Sequence, residues 1–165
     1  MKIRSDKILR EIKYLKPNVF KDFRGTIWTS WEKKYLNKLI FNLDKFTFSK
    51  KNVLRGFHGD NKSWKLVTCL KGEVLSVIVD YRKNSKNYLK YTSFKMSEKN
   101  KISVLIPPNF LNSWLCTSKD CLYQYKYSFS GKYNDVYNQT SVKWNDKNIN
   151  FKWPIKKPIL SKRDR

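Results

Sequence analysis

Alanine is missing from this 165-residue chain altogether, and histidine occurs once, as His58. A single imidazole argues against the metal-dependent jelly-roll enzymes, which hold Fe, Mn or Zn with several histidines and a carboxylate. No metal and no other cofactor is expected. Acidic residues are scarce too: 13 Asp and Glu face 36 Lys and Arg, for a formal net charge of +23. Such an excess ordinarily proposes nucleic acid as the partner. Here, however, most of the cations are lysine, asparagine is abundant and alanine is absent, the mixture expected from an AT-rich genome. The lysines are also scattered along the chain, as solvated faces would be. Nucleic acid is therefore not the expected partner. Cysteine is limited to Cys69, Cys116 and Cys121, an odd set with no C-x-x-C spacing. That fits reduced core residues in a cytoplasmic protein. No apolar run approaches the roughly 18 residues of a membrane span, and the first residues carry no apolar signal core, so no membrane association is expected.

What is present suits one folded domain over residues 1–165. Aromatics at 16% and apolar residues at 40% are enough to close a core at this length. Period-two alternation dominates. Residues 66–70 and 74–80 flank Lys71-Gly72-Glu73 and read as a hairpin of two buried strands. A second strand pair follows across the turn-like Asn84-Ser85-Lys86-Asn87. Residues 102–106 form another strand, stopped by Pro107-Pro108. Residues 122–128 put Tyr123, Tyr125 and Tyr127 on one face. The helical signal is thin: Ser30 caps a short stretch with Trp31, Tyr35, Leu36, Leu39 and Ile40 on one side. Many short strands with regular turns predict an all-β, jelly-roll (cupin-like) β-sandwich with few short helices.

The order of motifs adds a family likeness. Phe20-Lys21-Asp22-Phe23-Arg24-Gly25 is followed by Arg55-Gly56-Phe57-His58, Lys65-Leu66-Val67, Val79-Asp80-Tyr81-Arg82, Ile106-Pro107, Tyr125-Lys126, Trp144-Asn145-Asp146, Trp153-Pro154 and Ser161-Lys162-Arg163-Asp164. From about residue 16 to 164 this series resembles the dTDP-4-dehydrorhamnose 3,5-epimerase family. Each motif alone is weak, but their shared order is specific. The runs Arg55-Gly56-Phe57-His58-Gly59-Asp60 and Pro107 to Ser113 are closest to a subgroup acting on nucleotide-linked 4-keto-heptoses in capsule and surface polysaccharide synthesis.

Epimerisation beside a ketone needs a base on one face, an acid on the other, and a group to hold the enolate oxygen. An imidazole, ordinarily titrating near pH 6.5, suits the base, and the resemblance assigns that part to His58. It implies Asp164 as the carboxylate that orients His58, Tyr125 as the acid, and Lys65 as the ammonium facing the sugar carbonyl, with Asp80 paired to Lys65. It also implies Arg24 and Arg55 as diphosphate grips, a task guanidinium forks suit; Phe20, just before Arg24, is placed either against the nucleotide or in the core. Other members carry a glutamate near the position of Thr29, against the thymine. Ile27-Trp28-Thr29-Ser30 has none, which points to a GDP-linked sugar. Asn112 stands where others have histidine, and an amide can bind a hydroxyl but cannot shuttle a proton. The expected activity is therefore a cofactor-free inversion of C3, or of C3 and C5, of a nucleotide-diphospho-4-keto sugar by a homodimer. Inversion of one carbon only, a ketoisomerase on the same fold, and a basic single-strand binder using stacked aromatics are the competing readings.

Overall fold

The computed structural model describes residues 1–133 and 136–165. Strands follow in the order β1 (Lys2–Ser5), β2 (Lys13–Lys16), β3 (Val19–Asp22), β4 (Gly25–Trp28), β5 (Leu43–Lys50), β6 (Leu54–Gly59) and β7 (Trp64–Lys71). After these come β8 (Glu73–Asp80), β9 (Tyr91–Ser97), β10 (Ser103–Ile106), β11 (Phe110–Cys116), β12 (Asp120–Ser128) and β13 (Thr140–Ser141). A six-stranded sheet, β1-β2-β10-β7-β12-β5, packs on a five-stranded sheet, β13-β6-β11-β8-β9, while β3 and β4 form a separate hairpin. This is the expected jelly-roll sandwich.

The central strands β7, β8 and β11 are buried along most of their length because both of their faces are covered. Between the sheets lie Val67, Cys69, Ile78, Trp114 and Tyr123, with the other two cysteines, Cys116 and Cys121. Outside the five-stranded sheet, Leu54, Phe57, Val79 and Leu111 pack under Ile149 and Trp153 of the C-terminal segment. Outside the six-stranded sheet, Leu15, Leu66 and Leu105 meet Trp31, Leu36 and Phe41. Each fully buried large side chain contributes roughly 1.5–3 kcal/mol of apolar transfer. β11 shows the effect most plainly: it is buried at every residue, with β6 on one side and β8 on the other.

Two local expectations change. β7 and β8 are not a hairpin, because they belong to different sheets. Lys71-Gly72-Glu73 carries the chain across the sandwich, with Gly72 at a φ of 72°; β8 pairs instead with β9 and β11. The stretch after Ser30 makes only a single 3-10 turn, Lys33–Tyr35, entered from an extended Glu32. Trp31 and Leu36 still bury against the sheet, so the apolar spacing reports packing rather than a helix. The strand pair across residues 84–87 is present as β8 and β9.

Candidate active site

One cavity of about 550 Å³ opens between the end of the six-stranded sheet and the C-terminal segment. β5 supplies Lys45, Phe46 and Thr47, β6 supplies Arg55 and His58, β12 supplies Tyr125 and Tyr127, and the tail supplies Ser161 to Asp164. Arg55 and His58 are three residues apart and would face opposite sides of a regular strand. An irregularity opposite Asn112 and Trp114 resets the register, so both reach the cavity. Gly56 makes this possible. Its φ is 108°, and a Cβ there would meet the Asn112 carbonyl oxygen at 2.5 Å.

His58 Nε2 lies 2.7 Å from Asp164 Oδ1, whose side chain is 3% exposed. The approach is close though not linear, the kind of contact that tightens as charge develops on the ring. The tail is carried back to β6 by hydrogen bonds from Ile159 N–H to Asn52 O and from Leu54 N–H to Ile159 O. A last 3-10 turn, Lys162–Asp164, then aims the carboxylate inward. Ser161 Oγ donates to Asp164 Oδ2 at 2.7 Å. Burial alone would raise the Asp164 carboxyl, but the contacts from His58 and Ser161 outweigh it and hold the group below its ordinary range. With Nε2 turned to Asp164, the Nδ1 lone pair of a neutral ring is the one able to take a proton.

Tyr125 belongs to the row of phenols on β12, with its ring 5.8 Å from that of Tyr127 and 4.9 Å from that of Tyr123. Its hydroxyl accepts a hydrogen bond from Trp114 Nε1 at 2.6 Å. Burial pushes the phenol up to about 12, against the lowering effect of that donor. It is therefore protonated, and its own O–H remains available to give.

Other expected residues are dispersed. Lys65 is buried next to the cavity rather than in its wall: across the ladder stands Tyr127, and Arg163 is near enough for its charge to be felt. Its carboxylate partner is Asp60, at 3.6 Å, and not Asp80 as expected. Asp80 is committed elsewhere, accepting from Arg82 Nη2 at 2.6 Å and from Ser85 Oγ at 2.7 Å. Asn112 is 5% exposed and turned into the sandwich, where Ser76 Oγ donates to it at 3.5 Å. It sits beneath the cavity instead of lining it. Arg24 and Phe20 lie on the exposed β3–β4 hairpin, away from His58, with Arg24 paired to Asp22 at 2.6 Å. Thr29 follows β4 and lines a separate hollow of about 400 Å³ with Phe20, Trp28 and Glu32. Among the described residues no group of three or more His, Cys, Asp or Glu could hold a metal.

The model of the dTDP-4-dehydrorhamnose 3,5-epimerase family matches residues 6–165. The chain belongs to that family. A dTDP-4-dehydrorhamnose 3,5-epimerase of Salmonella typhimurium is 35% identical over 93% of this chain and 87% of its own length. The enzyme of that name from Escherichia coli K12 is 33% identical over 88% and 82%. Among solved structures, an epimerase from Bacillus anthracis with TDP and PPi bound superposes with a TM-score of 0.91 at 28% identity, covering 99% of this chain and 96% of that one. A Legionella pneumophila 3,5-epimerase in complex with dTDP-4-keto-L-rhamnose gives the same TM-score and identity, covering 99% and 89%. Family membership makes the protein an isomerase of the sugar-epimerase type. Sequence reasoning passed over several residues that this epimerase places near the chemistry. Asp60 and Arg163 stood within the quoted motifs of His58 and Asp164, whereas Tyr133 lines the cavity without any local signal that separates it from other tyrosines.

Proposed function

We propose that this protein inverts C3, or C3 and C5, of a nucleotide-diphospho-4-keto sugar without a cofactor. The observation that carries the reading is an imidazole backed by a buried carboxylate at 2.7 Å that shares one cavity with a protonated phenol. The C4 ketone acidifies the hydrogens on both neighbouring carbons. His58 takes one through Nδ1, and the Asp164 charge stabilises the imidazolium that forms. Tyr125 returns a proton to the opposite face of the enolate; the phenolate then regains a proton from solvent and the His58 imidazolium loses one to it. Arg55, with Nε on Ser49 Oγ at 3.2 Å, presents the rest of its guanidinium to the cavity and suits a phosphate oxygen.

The GDP link expected from Ile27 to Ser30 loses its basis, because Glu32 lines the same hollow as Phe20, Trp28 and Thr29. An aromatic platform with one accepting carboxylate suits a base bearing a ring N–H. Thymine and guanine both have one, so the choice rests on the relatives, whose names point to dTDP and a 4-keto hexose. The β3–β4 hairpin supports a homodimer. Phe23 is 98% exposed, Phe20 and Ile27 are more than 70% exposed, and an isolated two-stranded hairpin is marginal unless something covers it. A second copy would cover it and bring Arg24 to a neighbouring cavity.

The test is incubation with dTDP- and GDP-linked 4-keto sugars in D2O, with products followed by NMR and mass spectrometry. The expected result is deuterium at C3, or at C3 and C5, of the dTDP sugar. Label only in the GDP-linked sugar would overturn the nucleotide assignment, and absence of label in either would overturn the reaction.

A further inference from the structure

Asp60 lies just beyond β6, two residues from His58, with a side chain wholly out of solvent. Its Oδ1 accepts the backbone N–H of Lys62 at 2.9 Å and of Ser63 at 2.6 Å, which fixes the carboxylate plane. Oδ2 is left buried without a hydrogen-bond donor, and it points toward Lys65 Nζ at 3.6 Å. A buried carboxylate oxygen with unmet acceptor capacity is costly unless it has an electrostatic task. Lys65 is as deeply buried, at 4% exposed. Around it stand Asp60 from the β6–β7 connection, Tyr127 across the ladder on β12, Arg163 from the tail, and the apolar Ile106 across the ladder on β10. Asp60 is the one carboxylate within ion-pair reach among the described residues.

We propose that Asp60 is the positioning residue for Lys65, keeping its ammonium charged and fixed beside the cavity, where its positive charge favours the enolate oxygen. The inference rests on the 4-keto-sugar reading for its chemistry, but not for its physics. At 3.6 Å the pair is attracted without being locked in a short hydrogen bond. Burial pushes Lys65 down from the ordinary lysine range, and the Asp60 charge opposes this while Arg163 adds to it. Without the carboxylate the amine would lose its proton at a lower pH, and a neutral amine is a poor stabiliser of an oxyanion.

Asp60→Asn isolates the charge, because the amide oxygen can still accept both backbone N–H groups and preserve the turn. Lys65 protonation is read by NMR of lysine side chains labelled at Cε, assigned with Lys65→Gln. The expected result is a titration midpoint lowered by at least one pH unit in Asp60→Asn, and a kcat at pH 8 reduced at least tenfold with KM changed less than threefold. Activity should recover as the pH is lowered. Should Asp60→Asn fail to fold, Asp60→Ser keeps a turn acceptor and must show the same shift. An unmoved Lys65 midpoint overturns the proposal whether or not the protein turns over a sugar. A shifted midpoint in a protein that exchanges no substrate proton supports the Asp60–Lys65 coupling and instead refutes the assigned reaction.

Discussion

Replacing Asp164 with Asn removes one charge from the site while leaving its shape almost unchanged. Asn can still accept from Ser161 Oγ, which donates to the native carboxylate at 2.7 Å, so the last turn should survive. What is lost is the negative charge 2.7 Å from His58 Nε2, in a position only 3% exposed. Hydrogen bonds to charged partners contribute about 1.5–3 kcal/mol. That charge matters most once His58 has taken a proton, and each 1.36 kcal/mol lost there slows the step about tenfold. A roughly 10- to 150-fold fall in kcat is therefore expected, with KM within about twofold, because Asp164 does not reach the nucleotide. The assay is the initial rate of deuterium uptake at C3 of a dTDP-4-keto sugar in D2O at pH 7.5. A kcat within threefold of the native value, or a loss expressed wholly in KM, would refute the idea that this carboxylate stabilises the imidazolium.

Tyr125→Phe should uncouple exchange from inversion. His58 still removes the proton and can return a deuteron to the same face, so recovered substrate becomes labelled while the epimer is reduced at least 100-fold; equal loss of both would contradict the assignment. Gly56→Ala forces a Cβ within 2.5 Å of a backbone oxygen at a φ of 108°, so about 3 kcal/mol of stability should be lost. At this size that is roughly 6–12 °C in Tm by calorimetry, and a change under 2 °C would argue against the close approach. Acid stability should depend on Asp6. Burial raises its carboxyl, but hydrogen bonds from the Leu9 backbone, Thr92 and Tyr14 outweigh that and lower it. A carboxyl lowered on folding stabilises the native state above its unfolded value near 4 and ceases to do so as the pH falls through the folded one. Asp6→Asn should therefore flatten the fall of Tm below about pH 4, measured by thermal melts across that range.

Legibility in the sequence followed how local each signal is. β10 and β12 were readable because alternation, β-branched content and a proline stop all lie within a few residues, and the tyrosine row followed from period two alone. β1 and β2 were not, since they are short and lysine-flanked, with β2 placed by its pairing to the distant β10 and β1 added outside it at the sheet edge. Lys71-Gly72-Glu73 has the composition of a hairpin turn. Whether such a turn folds a strand back on its neighbour or passes it to the facing sheet depends on β9 and β12, which lie far along the chain. The same limit governs the site. The His58 motif and Asp164 were named from motif order, while the partner of Lys65 was misassigned to Asp80, which Arg82 and Ser85 hold at the far end of β8. Asp60 was in view throughout, but nothing in a linear string says that a connection of so few residues folds its carboxylate onto Lys65. Glu32 likewise reaches the hollow beside Thr29 only because the expected helix gives way to one tight turn.

The most direct trial of this account is His58→Asn, compared with the native protein for nucleotide-sugar affinity by calorimetry and for C3 deuterium uptake in heavy water. The account requires binding within a few-fold of native and uptake reduced at least a thousandfold. Undiminished labelling by a chain with no imidazole at all would show that another group removes the proton.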